Sequence, residues 1–358
     1  MEKKKVLFLT NGLGMGNSTR CFAVIERLVE SGVIVDVMTS GNGLKFFSEK
    51  KGREINLLIK INSFNYSKDS TGKLSAIKTI FNILKLGKIY IENNKLVRLY
   101  IKENKPSIVI IDSEYIFLPM WLSGIPIVAL NNSDMVVASF FKISKKPLSI
   151  YPQFFLVEFF DFLFHLIVAK KVISPRLDYS KASGKRFIRI PPIVRKNIGR
   201  NPLRGRIENG VIMLSGSSFG SNVNLHKTNY PFHLDIIGRD GDNSQGITFH
   251  GKITDNLKFL NRADFLVINA GFSAVSEGVF MGKPLIVIPV ENHSEQYINA
   301  KMVESIGIGF IASAENMSDS INTISQKYDY FRGKCKNHIL GNNGAEVASR
   351  VILSLFAD

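Results

Sequence analysis

Cysteine is nearly absent from this chain. Among 358 residues only Cys21 and Cys335 occur, too few for a disulfide framework, so a reducing compartment is the expected setting. No Cys/His cluster has zinc spacing, there is no Walker loop, and no internal repeat, low-complexity tract or RNA-binding aromatic signature is found. Disulfide-stapled, zinc-finger, P-loop and solenoid classes are thereby excluded. Long apolar runs are lacking too. Residues 152–169 are the most apolar window, yet they hold Glu158, Asp161 and His165, so no membrane span is expected. The basic residues 1–5 lead directly into the short apolar run 6–9, which is too brief for a signal-peptide core.

Acidic charge is scarce in one half only. Residues 1–190 carry 29 Lys and Arg against 15 Asp and Glu, a net of +14, whereas residues 191–358 carry 17 against 15, a net of +2. A uniformly basic protein would point to nucleic acid. A basic half joined to a neutral half points to one domain facing an anionic partner. The length suits two domains, each able to bury a core.

What is present is alternation. Apolar runs at 6–9, 33–38, 55–59, 107–111, 125–130, 171–174 and 186–190 read as strands of a first sheet, with helices between them. Residues 191–209, with Pro191, Pro192, Pro202 and Gly205, read as a linker. Runs at 211–214, 233–237, 247–249, 265–268 and 285–288 make a second sheet. The expected organisation is an N-terminal Rossmann-like domain over 1–190, a linker over 191–209 and a second domain over 210–358, whose last helix can cross back onto the first. A Rossmann dehydrogenase is not expected, because Gly12-x-Gly14 is followed by Asn17 where a third glycine belongs and Asp36 lies inside its strand.

The stretch 249–310 organises the second domain. The loop 269–273 leaves a strand and opens a helix. Gly271 permits close approach of a ligand and Ser273 occupies the expected N-cap, so the helix tip is an anion site. Glu277 follows one turn later on the same face, and a carboxylate can accept from both hydroxyls of a vicinal diol. Gln296 and Asn299 share one face of the next helix at i, i+3. Phosphate donors and a diol acceptor one turn apart suit the phosphate–ribose end of a nucleotide.

Ala270-Gly271-Phe272-Ser273, Ser276-Glu277, Gly282-Lys283-Pro284 and Glu295-Gln296-Tyr297-Ile298-Asn299-Ala300 resemble the nucleotide-sugar-binding half of the GT-B glycosyltransferases. Glycosyltransferase family 28, with its peptidoglycan N-acetylglucosaminyltransferases and related uncharacterised archaeal and bacterial proteins, is the nearest likeness. The resemblance implies two Rossmann-like doubly wound α/β domains facing a cleft, and inverting, metal-independent transfer from a nucleotide sugar, UDP-linked, with no cofactor. It implies donor contacts from Gly216, Ser217 and Ser218, from Lys252 and Ile253 at the base, from Ala270, Gly271, Phe272 and Ser273 at the phosphates, from Glu277 at the ribose, and from Glu295, Gln296 and Asn299 at the sugar.

The first-domain loop of such enzymes reads Gly-x-Gly-His-x-x-Arg. Here Gly14-Met15-Gly16-Asn17-Ser18-Thr19-Arg20 has Asn17 in place of histidine. An amide cannot take a proton near neutral pH, so Asn17 is left with orienting an acceptor hydroxyl. Arg20 has two readings, a phosphate contact or an ion pair. Asp112, Glu114 and Asp134, at carboxyl ends of strands, are the candidate proton acceptors, with helix capping as their plain alternative. The phenylalanine-rich segment 151–171 reads either as a buried helix or as a patch for lipid. With the basic half it suggests a lipid-linked acceptor at the cytoplasmic face of an anionic membrane. Two other functions remain open at this stage: a nucleotide-sugar hydrolase on the same scaffold, and a nucleic-acid-binding protein using the basic half.

Overall fold

The structure, a computed structural model, describes residues 4–12, 14–62, 76–177, 184–200, 204–214, 230–253, 255–338 and 341–356, with the backbone alone for 76–86. The chain divides into two compact units. The first comprises Met1–Val137, Phe159–Arg195 and Asn342–Asp358, and the second Ala138–Glu158 and Lys196–Gly341.

The first unit is built on β1 (Lys5–Thr10), β2 (Ile34–Thr39), β3 (Leu58–Lys60), β4 (Ile108–Asp112), β5 (Ile127–Leu130), β6 (Lys171–Pro175) and β7 (Phe187–Ile190). Their order is β3-β2-β1-β4-β5-β6-β7, and every neighbouring pair is parallel. Successive side chains of β1 explain why its sequence is apolar without alternation. Val6 and Phe8 enter one core, while Leu7 and Leu9 enter another on the opposite face. A strand covered by helices on both faces needs apolar residues at every position.

The second unit holds β8 (Asn209–Met213), β9 (His233–Ile237), β10 (Ile247–Phe249), β11 (Phe265–Asn269), β12 (Leu285–Ile288) and β13 (Gly309–Ile311), in the order β10-β9-β8-β11-β12-β13 and again parallel throughout. The doubly wound α/β class is therefore found in both units. Strand β13 went unread because it is three residues long and begins with glycine. A Cβ on Gly309 would run into the Leu285 carbonyl, so only glycine allows this edge strand to pair with β12.

Two segments group away from their neighbours in sequence. Residues 138–158, read above as part of the first domain, group with the second unit. There Tyr297 Oη donates to the Lys145 carbonyl at 3.2 Å, and Ser294 N donates to Gln153 Oε1 at 2.8 Å. The last helix, Gly344–Ser354, groups with the first unit, where Ala345, Ala348 and Ile352 share a core with Val24 and Leu28 of helix Met15–Glu30.

The basic helix Ala76–Asn104 has a sequence that fits either a core-packed helix with a solvated polar face or an amphipathic helix on an anionic bilayer, and where its side chains are described it takes the first form. Val97, Tyr100 and Ile101 are buried in the core, while Lys95, Arg98 and Lys102 face solvent. Helix Leu148–Val168 is the one described helix long and apolar enough to cross a bilayer. Its polar residues Glu158, Asp161 and His165 are nevertheless buried.

The closing helix depends on a tight start. Asn343 Oδ1 accepts from Ala345 N at 2.9 Å and from Val194 N at 3.2 Å, while Asn343 Nδ2 donates to the Val194 carbonyl at 2.8 Å. Gly344 N donates to the Pro192 carbonyl at 2.9 Å, and a Cβ at Gly344 would collide with the Pro191 carbonyl. Gly344→Ala should therefore destabilise the first unit by about 1–3 kcal/mol, the usual cost of overpacking, read as a lower thermal unfolding midpoint. Gly333→Ala, with nothing within 4 Å of the added Cβ, should not lower it.

Candidate active site

In an open parallel sheet, ligands gather where the strand order reverses, outside the carboxyl ends of the strands. In the second unit that point lies between β8 and β11. The loop after β8, with Gly216, Ser217 and Ser218, lies outside the described residues. The loop after β11 is described, and it leads through Ala270 and Gly271 into helix Phe272–Met281. Gly271, not Ser273, is the N-cap: its backbone is extended, and its carbonyl accepts the first helical bond, from Val275 N at 3.1 Å. Ser273 thus lies inside the first turn. Nothing lies within 4 Å of a Cβ placed on Gly271, so the helix tip opens onto free space, as an anion site requires. Ala270 and Phe272 are buried and anchor the turn, and Glu277 is buried at 8 % exposure one turn along.

The next helix, Ser294–Ile306, braces this loop. Asn299 is fully buried, and its Nδ2 donates to the Ala270 carbonyl at 3.0 Å. Its amide therefore holds the loop in place instead of reaching a sugar hydroxyl, and this corrects the reading from i, i+3 spacing. Gln296 Oε1 accepts from Val290 N at 3.0 Å, which turns its Nε2 donor away from Val290. Glu295, half-buried, occupies the first helical turn. At the end of β10, Lys252 is exposed and Ile253 half-buried. The preceding turn is fixed by buried Asp235, which lies 2.7 Å from His250 Nε2 and accepts from Arg262 Nη2 at 2.5 Å. Gly251 there has φ +58, a conformation that favours glycine.

The first sheet reverses order between β1 and β4. Gly14 caps helix Met15–Glu30, whose apolar periodicity in the sequence suggests a start only near Ser18, so Gly16 and Asn17 lie in its first turn. Arg20 is buried at 6 % exposure. Its Nε donates to Asp112 Oδ2 at 3.0 Å and its Nη2 to Asp112 Oδ1 at 2.5 Å. Nη2 also donates to Asn17 Oδ1 at 3.2 Å, and Nη1 to Asn132 Oδ1 at 3.5 Å. The ion-pair reading of Arg20 is the one realised. Asp112, with no exposed surface and two guanidinium bonds, is fixed as a carboxylate partner and is unsuited to take a substrate proton.

The remaining carboxylates separate by their partners. Asp134 is buried, accepts from Ser174 Oγ, and lies 3.5 Å from Arg176 Nη1. Burial raises its pKa, and the Ser174 and Arg176 contacts pull it back. Glu114 is half-buried, accepts only from its neighbour's backbone, Tyr115 N at 3.3 Å, and has no ion pair among the described residues. Burial pushes its carboxyl up to about 7, with the Tyr115 amide opposing. The preceding Ser113 has φ +51, a strained conformation for a non-glycine residue that turns the chain at the strand end. Glu114 is thus the carboxylate of the three poised near neutrality.

Asp161 and His165 were not among the residues singled out from sequence for chemistry. Both are buried on helix Phe160–Val168, with His165 Nδ1 3.6 Å from Asp161 Oδ2. Burial raises the Asp161 carboxyl to about 7, against hydrogen bonds from Tyr115 and Asn131, and lowers the His165 imidazole to about 4. The available signal was two ionisable residues four apart in an otherwise apolar helix. A shallow cavity of about 830 Å³ lies elsewhere, at the amino-terminal ends of β8 and β9 beside Glu208, Tyr230 and Tyr328, and holds none of these residues.

Comparisons with known proteins agree with this geometry. A family model described as glycosyl transferase family 1 matches residues 4–326. An uncharacterised glycosyltransferase from Methanosarcina acetivorans is 26% identical, with 86% of each chain covered. A UDP-N-acetylglucosamine–N-acetylmuramyl-(pentapeptide) pyrophosphoryl-undecaprenol N-acetylglucosamine transferase from Clostridium botulinum is 24% identical over 99% of this chain and 98% of its own. Among solved structures, MurG of Acinetobacter baumannii superposes with a TM-score of 0.62 at 18% identity, covering 98% of this chain and 99% of that one. LpCGTa in complex with UDP gives 0.68 at 14% identity, covering 99% and 100%.

The buried Asp161 supplies a test of the first unit's electrostatics. Its folded pKa is raised, so its contribution to stability is complete below the ordinary aspartate value of 3.8 and is lost as pH rises to about 7. His165 acts in the opposite sense, its contribution being lost as pH falls from 6.5 towards about 4. Asp161→Asn keeps the shape and removes the first dependence. Between pH 5 and pH 8 the variant should gain about 2 kcal/mol on the native protein, measured by urea denaturation at both pH values.

Proposed function

This chain belongs to glycosyl transferase family 1 and is a glycosyltransferase of GT-B fold, and from that premise we propose that it transfers a sugar, with inversion, from a UDP-linked donor to a lipid-linked acceptor. The observation that carries the donor assignment is the helix tip at Gly271, open at the reversal point of the second sheet, with Glu277 one turn behind it. The free N–H groups of that tip receive the diphosphate. Glu277 accepts from the ribose hydroxyls, and Gln296 donates to the sugar.

In the reaction the acceptor oxygen bonds to the anomeric carbon as the bond from that carbon to the diphosphate oxygen breaks. The acceptor proton passes to Glu114, and the negative charge leaving with the diphosphate is met by backbone amides. No metal is invoked at the leaving group. Asn17, half-buried in the first turn of its helix, orients the acceptor hydroxyl.

The acceptor class rests on surface chemistry. In the first unit Leu118, Trp121, Leu122, Phe160, Leu163 and Ile167 are all exposed apolar side chains, and Lys170, Lys171 and Arg186 lie at the same end of the chain's apolar helix. Such a face, on the half bearing +14 of the charge, suits an anionic bilayer that holds a polyprenyl-type acceptor. The Clostridium relative's name specifies an undecaprenol-linked acceptor, which supports the same class.

Titration calorimetry with UDP, GDP and TDP tests the donor: UDP should bind most tightly, and absence of affinity for all three would overturn the reading. Glu277→Ala should raise the donor KM about 10- to 100-fold, the cost of losing hydrogen bonds to a charged group, with little change in unfolding midpoint. The kcat of the native enzyme should rise with pH through about 7 as Glu114 loses its proton, and Glu114→Gln should abolish that inflection along with most of the rate. The native protein should float with anionic vesicles at low salt and detach as salt rises. Release of free sugar at full rate without acceptor would instead indicate hydrolysis.

A further inference from the structure

We propose that the second unit holds a divalent transition-metal ion between Glu158, His293 and Glu295. One ligand atom from each residue lies within 4.8 Å of the other two. Bonds of about 2.0–2.2 Å from a zinc-type ion to nitrogen and oxygen place ligand atoms about 3–4 Å apart. Closure therefore needs the ligand atoms only to draw closer together.

The three residues come from two elements that the fold brings together. Glu158 closes segment 138–158 and lies in the π-helical turn Phe154–Phe159. A π turn widens the helix and commonly marks a functional position. His293 precedes helix Ser294–Ile306, and Glu295 follows in its first turn. Gln153 joins the two elements directly. Its Nε2 donates to Glu158 Oε1 at 3.0 Å, while its Oε1 accepts from Ser294 N at 2.8 Å and from Ser294 Oγ. Outer partners of this kind fix the orientation of metal-binding carboxylates.

The imidazole supplies the independent observation. His293 is part-buried as a residue, yet its Nδ1 is sealed from solvent and has no hydrogen-bond partner. A buried ring nitrogen without a partner is costly, and a cation removes that cost. Glu158 is also buried, at 8 % exposure. One imidazole with two carboxylates suits Zn2+ or Mn2+ better than Mg2+ or Ca2+, which favour oxygen-only shells.

The ion would fasten the π turn to the start of the helix that carries Gln296 and the Asn299 brace, and so organise that end of the unit. Glu295, read from the sequence as a donor contact, becomes a metal ligand. The proposal does not rest on the donor assignment, because its readout is metal binding without nucleotide. After chelator treatment the full-length protein is titrated calorimetrically with ZnCl2 and with MnCl2, using MgCl2 as the comparison, and its unfolding midpoint is followed.

The expected result is one Zn2+ or Mn2+ per chain, a raised midpoint, and no comparable response to Mg2+. Glu158→Gln, which keeps the shape and the Gln153 contact region, and His293→Ala should each weaken the affinity at least tenfold. Should His293→Ala fail to fold, the glutamine variant decides alone. Absence of stoichiometric binding by either transition metal, or unchanged affinity in the folded variants, would overturn the site. UDP binding by the chelated protein reports separately on the donor reading and stands or falls by itself.

Discussion

A parallel strand can reach the next strand only by crossing back over a face of its sheet. Every described strand pair in this protein is parallel, so every connection makes that crossing and both faces of each sheet are covered. The sheet interiors are then mostly apolar, as Val6–Leu9 are, and the buried mid-strand exceptions Asp36 and Asp235 are held by hydrogen bonds from Tyr100 and Leu57 and from Arg262. The carboxyl ends acquire the additional property that helices begin there, bringing unpaired N–H groups and short loops to one edge. Helix Phe272–Met281 and helix Met15–Glu30 each start at such an edge, one after β11 and the other after β1. The chemistry of both units follows from that placement.

Within the first unit the buried pair of Arg20 and Asp112 arranges the surrounding groups. A guanidinium and a carboxylate both removed from water must satisfy one another, and removing either one would strand a buried charge at a cost of about 3–5 kcal/mol. The pair reaches Asn17 and Asn132 through the remaining donors of Arg20. Burial pushes the Cys21 thiol up, and within the pair Asp112 adds to that rise while Arg20 opposes it. Asp134 is engaged in the same way by Ser174 and Arg176. Glu114 is the carboxylate that these pairings leave out, and that difference separates three residues which look alike in sequence.

The sequence was most legible where the physics is local or periodic. Apolar runs located twelve of the thirteen strands to within a few residues, and the parallel class followed from the helices between them. The loop–helix–Glu277 arrangement was readable because an N-terminus and a one-turn spacing are geometric facts of any helix. It was less legible where direction matters. Asn299 and Gln296 share a helical face, but spacing cannot say whether that face turns towards a ligand or towards the Ala270 carbonyl. The start of helix Met15–Glu30 was hidden by two glycines, whose low helix propensity is overridden by packing against the sheet. Asp161 and His165 were hidden by the apolar residues around them, since the burial that shifts their proton affinities is a tertiary property.

The substitution at position 17 illustrates how one change redistributes function along an edge. A histidine in the first turn of helix Met15–Glu30 would carry its ring beside the positive end of the helix and the guanidinium of Arg20. Both disfavour the protonated imidazole. It would be a weak proton acceptor unless a carboxylate stood against it, and Asp112 is already engaged in both oxygens by Arg20. An asparagine at that position avoids the conflict. Its carbonyl accepts from Arg20 Nη2, so it completes the guanidinium's bonding and holds no titrating charge. Glu114 stands apart from these pairings: it follows the strained Ser113, accepts from the Tyr115 amide, and burial pushes its carboxyl up to about 7 against that bond.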